Sequence, residues 1–155
     1  PTWADMQWLL ANTRLPVLAK GVVHPADVQR LRDLGVAGFV VSGHGGRALD
    51  ELPAPLDLLP AVRAAAGEDA TVILDGGVRS GVDAFKALAL GADAVLLGRP
   101  AMHALAVGGA PGVAHLLRLL REELEVTMAL AGCATLADIT RNSLWRDGFL
   151  EPALC

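Results

Sequence analysis

The feature that most limits what this chain can fold into is a repeating order of elements. Four short runs of Val, Leu, Ile and Ala, at residues 17–19, 38–42, 71–74 and 94–97, are each closed by glycine or a polar residue and then followed by a helical pattern. Runs that are apolar without alternation predict strands buried on both faces, as in parallel sheets covered by helices. Helices are expected at 25–34, 56–66, 82–90 and 113–131, with Pro25 suited to a first turn and Gly35, Gly67 and Gly91 suited to stops. In the third of these, Val82, Phe85, Leu88 and Ala89 share a face. In the fourth, Val113, Leu116, Leu117, Leu120, Leu124 and Met128 form a stripe, while Arg118–Glu122 and Arg121–Glu125 fall at i,i+4 spacing on the wet side. An opening helix at 4–11 and a closing one at 136–144 complete the pattern, and Gly108-Gly109 reads as a surface turn.

Strand and helix alternating in this way is the mark of parallel βα units. Two α/β architectures satisfy it: an open doubly wound sheet, or part of a (β/α)8 barrel. A whole barrel takes about 250 residues, whereas this chain has 155. Four strands cannot close on themselves, so a barrel reading requires that the chain supply only about half of one, over its entire length 1–155. The first residue, Pro rather than Met, fits a chain that is one piece of a longer product.

Composition narrows the class of partner. The chain is 53% hydrophobic, with a mean hydropathy of +0.44, yet no uninterrupted apolar run approaches the ~18 residues of a membrane span. With a net charge of −4 and scattered Lys and Arg, nucleic acid is not an expected partner. Cys133 and Cys155 are too few for a disulfide scaffold and lack metal-ligand spacing, which points to a reducing compartment and a cytoplasmic setting. The opening residues carry no basic or apolar segment of the signal-peptide kind.

The chemistry-bearing residues gather just after the strand runs. Lys20-Gly21 follows the first, Ser42-Gly43-His44-Gly45-Gly46-Arg47 the second, Asp75-Gly76-Gly77-Val78-Arg79-Ser80-Gly81 the third, and Gly98-Arg99-Pro100 the fourth. In parallel α/β folds these C-terminal strand ends carry the active site. Gly76, Gly77 and Gly98 allow backbone N–H groups to approach an anion, and Arg79 and Arg99 add forked donors matched to phosphate oxygens. His44 has an imidazole, the side chain suited to accepting a proton near neutrality, and Arg47 can clamp a carboxylate through two bonds. Lys20, at the end of an apolar strand, needs an anionic or polar partner: charge developing on a cofactor, or a neighbouring carboxylate. His24, His103 and His115 lack such surroundings and are read as structural.

These four segments, with Phe85-Lys86-Ala87-Leu88-Ala89-Leu90-Gly91-Ala92 and Thr127-Met128-Ala129-Leu130-Ala131-Gly132-Cys133, resemble the FMN-dependent α-hydroxy-acid dehydrogenases, a family that includes glycolate oxidase, lactate oxidase, mandelate dehydrogenase and flavocytochrome b2. The histidine segment is the most specific part of the likeness. The resemblance implies a (β/α)8 TIM barrel of which this chain supplies the last four βα units, with the first half elsewhere. It also implies FMN as cofactor and oxidation of an L-2-hydroxy acid to the 2-oxo acid. On that basis His44 is the base and, with Arg47, binds substrate; Lys20 lies by the flavin N1/O2 edge; Ser42 is a further flavin contact. Asp75, Gly76, Gly77 and Arg79 hold ribityl and phosphate, and Gly98 and Arg99 complete the phosphate site. A homotetramer is the family's frequent assembly. Hydride transfer and a carbanion path both remain open.

Two departures stand out. Gly43 occupies a position where the family usually has Asn, and the chain has no tyrosine, although the family places active-site tyrosines in the first four units. Other readings of the same loops are a different FMN or phosphate-binding barrel, of the type 2 isopentenyl-diphosphate isomerase or IMP dehydrogenase kind, and a non-catalytic half-barrel. The His44/Arg47 pair favours the hydroxy-acid reading over these.

Overall fold

The structure, a computed structural model, describes residues 2–145. A helix α1 (Trp3–Ala11) precedes four βα units: β1 (Leu18–Lys20) and α2 (Pro25–Asp33), β2 (Gly38–Ser42) and α3 (Pro55–Ala66), β3 (Thr71–Asp75) and α4 (Gly81–Ala89), β4 (Ala94–Leu96) and α5 (Arg99–Leu130). The strands form one parallel sheet in the order β1-β2-β3-β4. All five residues of β2 are buried, which is why its sequence is an unbroken apolar run ending in one serine. Register aligns Lys20 with Val40, Ser42 with Asp75, and Asp75 with Leu96. The ends of the last three strands are therefore level, with Lys20 two residues lower.

The core lies between this sheet and its helices. Val28 from α2, Leu59 and Val62 from α3, and Phe39, Val41 and Val72 from the strands are all fully buried, each contributing about 1.5–3 kcal/mol relative to exposure. Arg63 fastens the opposite end of the sheet from the catalytic-type loops. Its guanidinium donates to the carbonyls of Gly91 (2.6 Å), Gly67 (3.1 Å) and Ala70 (2.8 Å) and to Asp93 Oδ2 (2.5 Å), and that carboxylate oxygen also accepts the Val72 N–H at 2.7 Å.

Helix α4 serves two cores. Ala87 joins the sheet cluster, while Phe85 and Ala89 join Cys133 and Ile139 in a second cluster flanked by Leu124 and Met128 of α5. A Cβ on Gly81 would sit 2.2 Å from the Leu124 nitrogen, so α4 begins in backbone contact with α5. The Gly81 N–H donates to Glu123 Oε2 at 2.7 Å. Val82, expected on the apolar face, is instead 41% exposed, because the start of α4 meets α5 through Gly81. Leu117 is likewise exposed. The pairs Arg118–Glu122 and Arg121–Glu125 form as expected, each at 2.7 Å.

Two boundaries differ from expectation. The last helical region begins at Arg99 rather than near 113, broken at Gly109 (φ 58, ψ −149) and followed by Pro111. The Gly108-Gly109 turn is thus a break between two helical pieces. The closing helix expected at 136–144 is two 3₁₀ turns, Leu136–Asp138 and Arg141–Ser143. Thr135 and Asp138 bond back to one another's backbone and side chains, and Ile139 between the turns is extended. Among the described residues no helix is long and apolar enough to cross a membrane.

Candidate active site

Level strand ends bring three βα loops to one side of the sheet, and the long Lys20 side chain reaches up to join them. Its ammonium donates to Ser42 Oγ at 3.0 Å and pairs with Asp75 Oδ2. The buried Ser42 hydroxyl donates to the same Asp75 oxygen at 2.7 Å and accepts the His44 N–H at 3.1 Å. Lys20 thus finds the carboxylate partner its position demands, and that partner is itself one of the expected site residues. Two of the ammonium's three N–H groups are committed, leaving one for a ligand. Burial works to raise the Asp75 carboxyl, but hydrogen bonds from Lys20 and Ser42, with the positive charge of Lys20, outweigh it and hold it below the usual carboxylate range.

The segment after β2 turns sharply. His44–Gly46 is a 3₁₀ turn in which His44 has φ 52, Gly45 φ 68 and Gly46 φ 79. Left-handed backbone at a non-glycine residue is uncommon and costs of order 1 kcal/mol or more, and such residues concentrate at functional sites. Arg47 closes the turn. After β3, Gly76 (φ 109) and Gly77 (φ 81) continue the pattern. Asp83 then accepts hydrogen bonds from the backbone N–H groups of Arg79 (2.9 Å) and Ser80 (3.0 Å), fixing the loop to the start of α4. Gly98 caps α5 and Arg99 is its first residue.

A cavity of about 420 Å³ is lined by Lys20, His44, Arg47, Asp75, Arg79 and Arg99, together with Gly45, Gly76, Gly77 and Gly98. The structure therefore brings together every residue singled out from the sequence except Ser42, which lies beneath, buried and bonded to Lys20 and Asp75. The apolar part of the wall includes Leu96 and Met102, which sequence reasoning did not single out. Leu96 is placed there by its register with Asp75, which no local pattern records, whereas Met102 could have been found from its place one turn after Arg99. Arg99 also links the two constellations: one of its terminal nitrogens lies 3.6 Å from where a Cβ on Gly45 would be. The remaining histidines stay apart. His24 caps α2, its Nδ1 accepting the Ala26 N–H at 3.2 Å, and neither His103 nor His115 lines the cavity.

Among the described residues, Arg47, Arg79 and Arg99 take part in no ion pair. Three exposed guanidiniums around one hollow, in a chain of net charge −4, make it a place that attracts anions. Cβ atoms placed on Gly77 or Gly98 would meet nothing within 4 Å, so glycine there leaves open space beside the backbone. The donor set, the open glycines and the apolar patch fit a flat cofactor with a phosphate tail, and the volume lies within the ~300–1,000 Å³ of cofactor pockets.

Comparison with known proteins agrees with this geometry. Residues 1–146 match the sequence profile described as FMN-dependent dehydrogenase. The chain is 62% identical over 144 residues to an L-lactate oxidase of Alicycliphilus denitrificans, covering 93% of this chain and 40% of that protein. It is 51% identical over 146 residues to glycolate oxidase 1 of Oryza sativa subsp. indica, covering 94% and 40%. Among solved structures, mandelate oxidase with (S)-2-phenylpropionate superposes with a TM-score of 0.87 at 46% identity, covering 91% of this chain and 42% of that one. The chain thus spans about 40% of the length of the relatives it matches, as a four-stranded portion of a (β/α)8 barrel. With a match running nearly end to end and a fold shared at this identity, the chain belongs to the FMN-dependent dehydrogenase family.

Proposed function

We propose that this chain, residues 1–155, is the C-terminal half of a single barrel domain that oxidises an L-2-hydroxy acid to the 2-oxo acid with FMN as cofactor. The observation that carries the reading is the gathering of His44 with three arginines that form no ion pair among the described residues, in one cavity at the C-terminal ends of parallel strands. FMN, when bound, supplies a two-electron acceptor. Arg79 and Arg99, with the N–H groups of Gly76, Gly77 and Gly98, hold its phosphate, and Asp75 meets the ribityl hydroxyls. Lys20, steadied by Ser42 and Asp75, keeps a positive charge by the ring edge. Arg47 binds the substrate carboxylate through its fork. His44 would bind the same substrate and take one of the two hydrogens it loses, as a proton at an imidazole nitrogen, with the other hydrogen and the electron pair going to FMN. The rest of the substrate pocket belongs to the other half of the barrel, within a homotetramer acting in the cytoplasm.

The test is an absorbance scan of flavin-loaded, full-length protein. Bands near about 370 and 450 nm that bleach anaerobically with a 2-hydroxy acid are the expected result, and His44→Ala should keep the bands while slowing bleaching about 10²- to 10⁴-fold. Bands that no 2-hydroxy acid bleaches would favour a different FMN barrel. Failure of the full-length protein to take up added FMN would favour a non-catalytic half-barrel.

A further inference from the structure

We infer that Gly21 is a positioning residue for the base: its missing side chain is the seat on which the His44 imidazole rests. The inference rests on the reading of His44 given above and adds what holds the ring. Gly21 follows the last residue of β1 with φ +89, and its N–H is tied to the Val40 carbonyl of β2 at 3.0 Å. A Cβ at this position would lie 2.4 Å from His44 Cε1, 3.2 Å from Nε2 and 3.4 Å from Nδ1. Three atoms of the ring therefore lie against the bare face of the glycine, one of them inside the space an alanine methyl would need.

No hydrogen bond to that ring exists among the described residues. Ser42 holds the His44 main chain through its N–H, but not the imidazole. Within this chain the bare face of Gly21 is the wall that bounds one side of the ring, while the left-handed backbone of His44 (φ 52) presents it from the turn. Because the atom in the way is the tip of a side chain and not backbone, an added methyl displaces the imidazole instead of prying the strands apart. Displacement by an ångström of a group that transfers protons costs on the order of 10² in rate.

Gly35 provides the control. It has nearly the same backbone angle, φ +92, yet a Cβ there meets nothing within 4 Å. Gly35→Ala therefore imposes the left-handed strain of an alanine without touching a ring. In flavin-loaded, full-length protein, Gly21→Ala is expected to lower kcat about 100-fold with KM changed less than about threefold, whereas Gly35→Ala stays within about twofold of the parent. Combined with His44→Ala, Gly21→Ala should lower the residual rate no further. Its melting temperature should also fall less in the His44→Ala background than in the parent, because the collision is gone.

The seat is overturned if Gly21→Ala slows turnover no more than Gly35→Ala, or slows the His44→Ala protein by the same factor as the parent. Equal loss of melting temperature in both backgrounds overturns it as well. If the parent oxidises no 2-hydroxy acid, the functional reading fails, and the melting-temperature cycle still decides whether the glycine seats the ring.

Discussion

Asp75 shows how single residues in this site depend on one another. Its carboxylate accepts from Lys20 and Ser42, and Ser42 in turn accepts from the His44 backbone, so one charge organises the ends of three strands, β1, β2 and β3. Asp75→Asn keeps the shape and removes the charge. With Lys20 43% exposed, the expected loss in urea unfolding at pH 7 is about 1 kcal/mol. The sign of its pH dependence follows from the lowered carboxyl. Above the unfolded-state pKa, around 4, the stabilisation is complete; it disappears as pH falls through the still lower folded-state value, because the unfolded chain takes up the proton first. The gap between native and Asp75→Asn protein should therefore narrow towards pH 3, and an equal gap at pH 3 and pH 7 would contradict the assignment. At this scale the sequence was highly legible. Each strand-end motif landed on one cavity, because residues at the ends of parallel strands have nowhere else to go. Gly21 was quoted only as part of a motif. Its relation to His44 depends on a ring meeting the chain 23 positions away, which no local pattern records.

Elements were legible where a helix has one buried face and obscure where it has two. The strands, α2 and α3 pack against one sheet, and their apolar spacing reports that directly. Helix α4 faces both the sheet and α5, so its buried positions (Gly81, Phe85, Ala87, Ala89) do not make a single stripe, and Val82 was misplaced. The expected closing helix failed for a different reason: Thr135 and Asp138 form a box that suits a helix start, but the extended backbone of Ile139 ends the turn before a second begins after Thr140. The Arg63 clamp is the strongest element-scale device, joining α3, the start of β3 and the turn into β4. Arg63→Ala removes this donor from the Gly91, Gly67 and Ala70 carbonyls and leaves Asp93 with the Val72 N–H alone. A loss of about 2–3 kcal/mol in chemical unfolding is expected. Arg63→Lys should recover little of it, since an ammonium cannot reproduce the fork.

For the whole molecule, an open sheet carries a liability that a closed barrel lacks. β1 and β4 each have one unpaired edge in this chain, and Leu18 and Leu96 on them are 40% and 39% exposed. The chain produced without the rest of its barrel is expected to self-associate through these edges, measured by light scattering across a concentration series. Leu18→Lys should reduce that association, and a dilute-to-concentrated series that stays monomeric would contradict it. The α/β class and the need for missing strands could both be read from four strand runs in 155 residues. What those runs could not reveal was the level alignment of strand ends, which is a property of pairing and not of composition. The sheet's simple order also bears on how the chain reaches this state. Paired strands are separated by only 20, 33 and 21 positions, whereas the Lys20–Asp75 contact closes a loop of 55. Loop-closure entropy grows with that separation, so neighbouring strands can zip outward from β2 while the chain is still being made. On that ground the ion pair that organises the cavity is expected to close after the strands that align its two ends have paired.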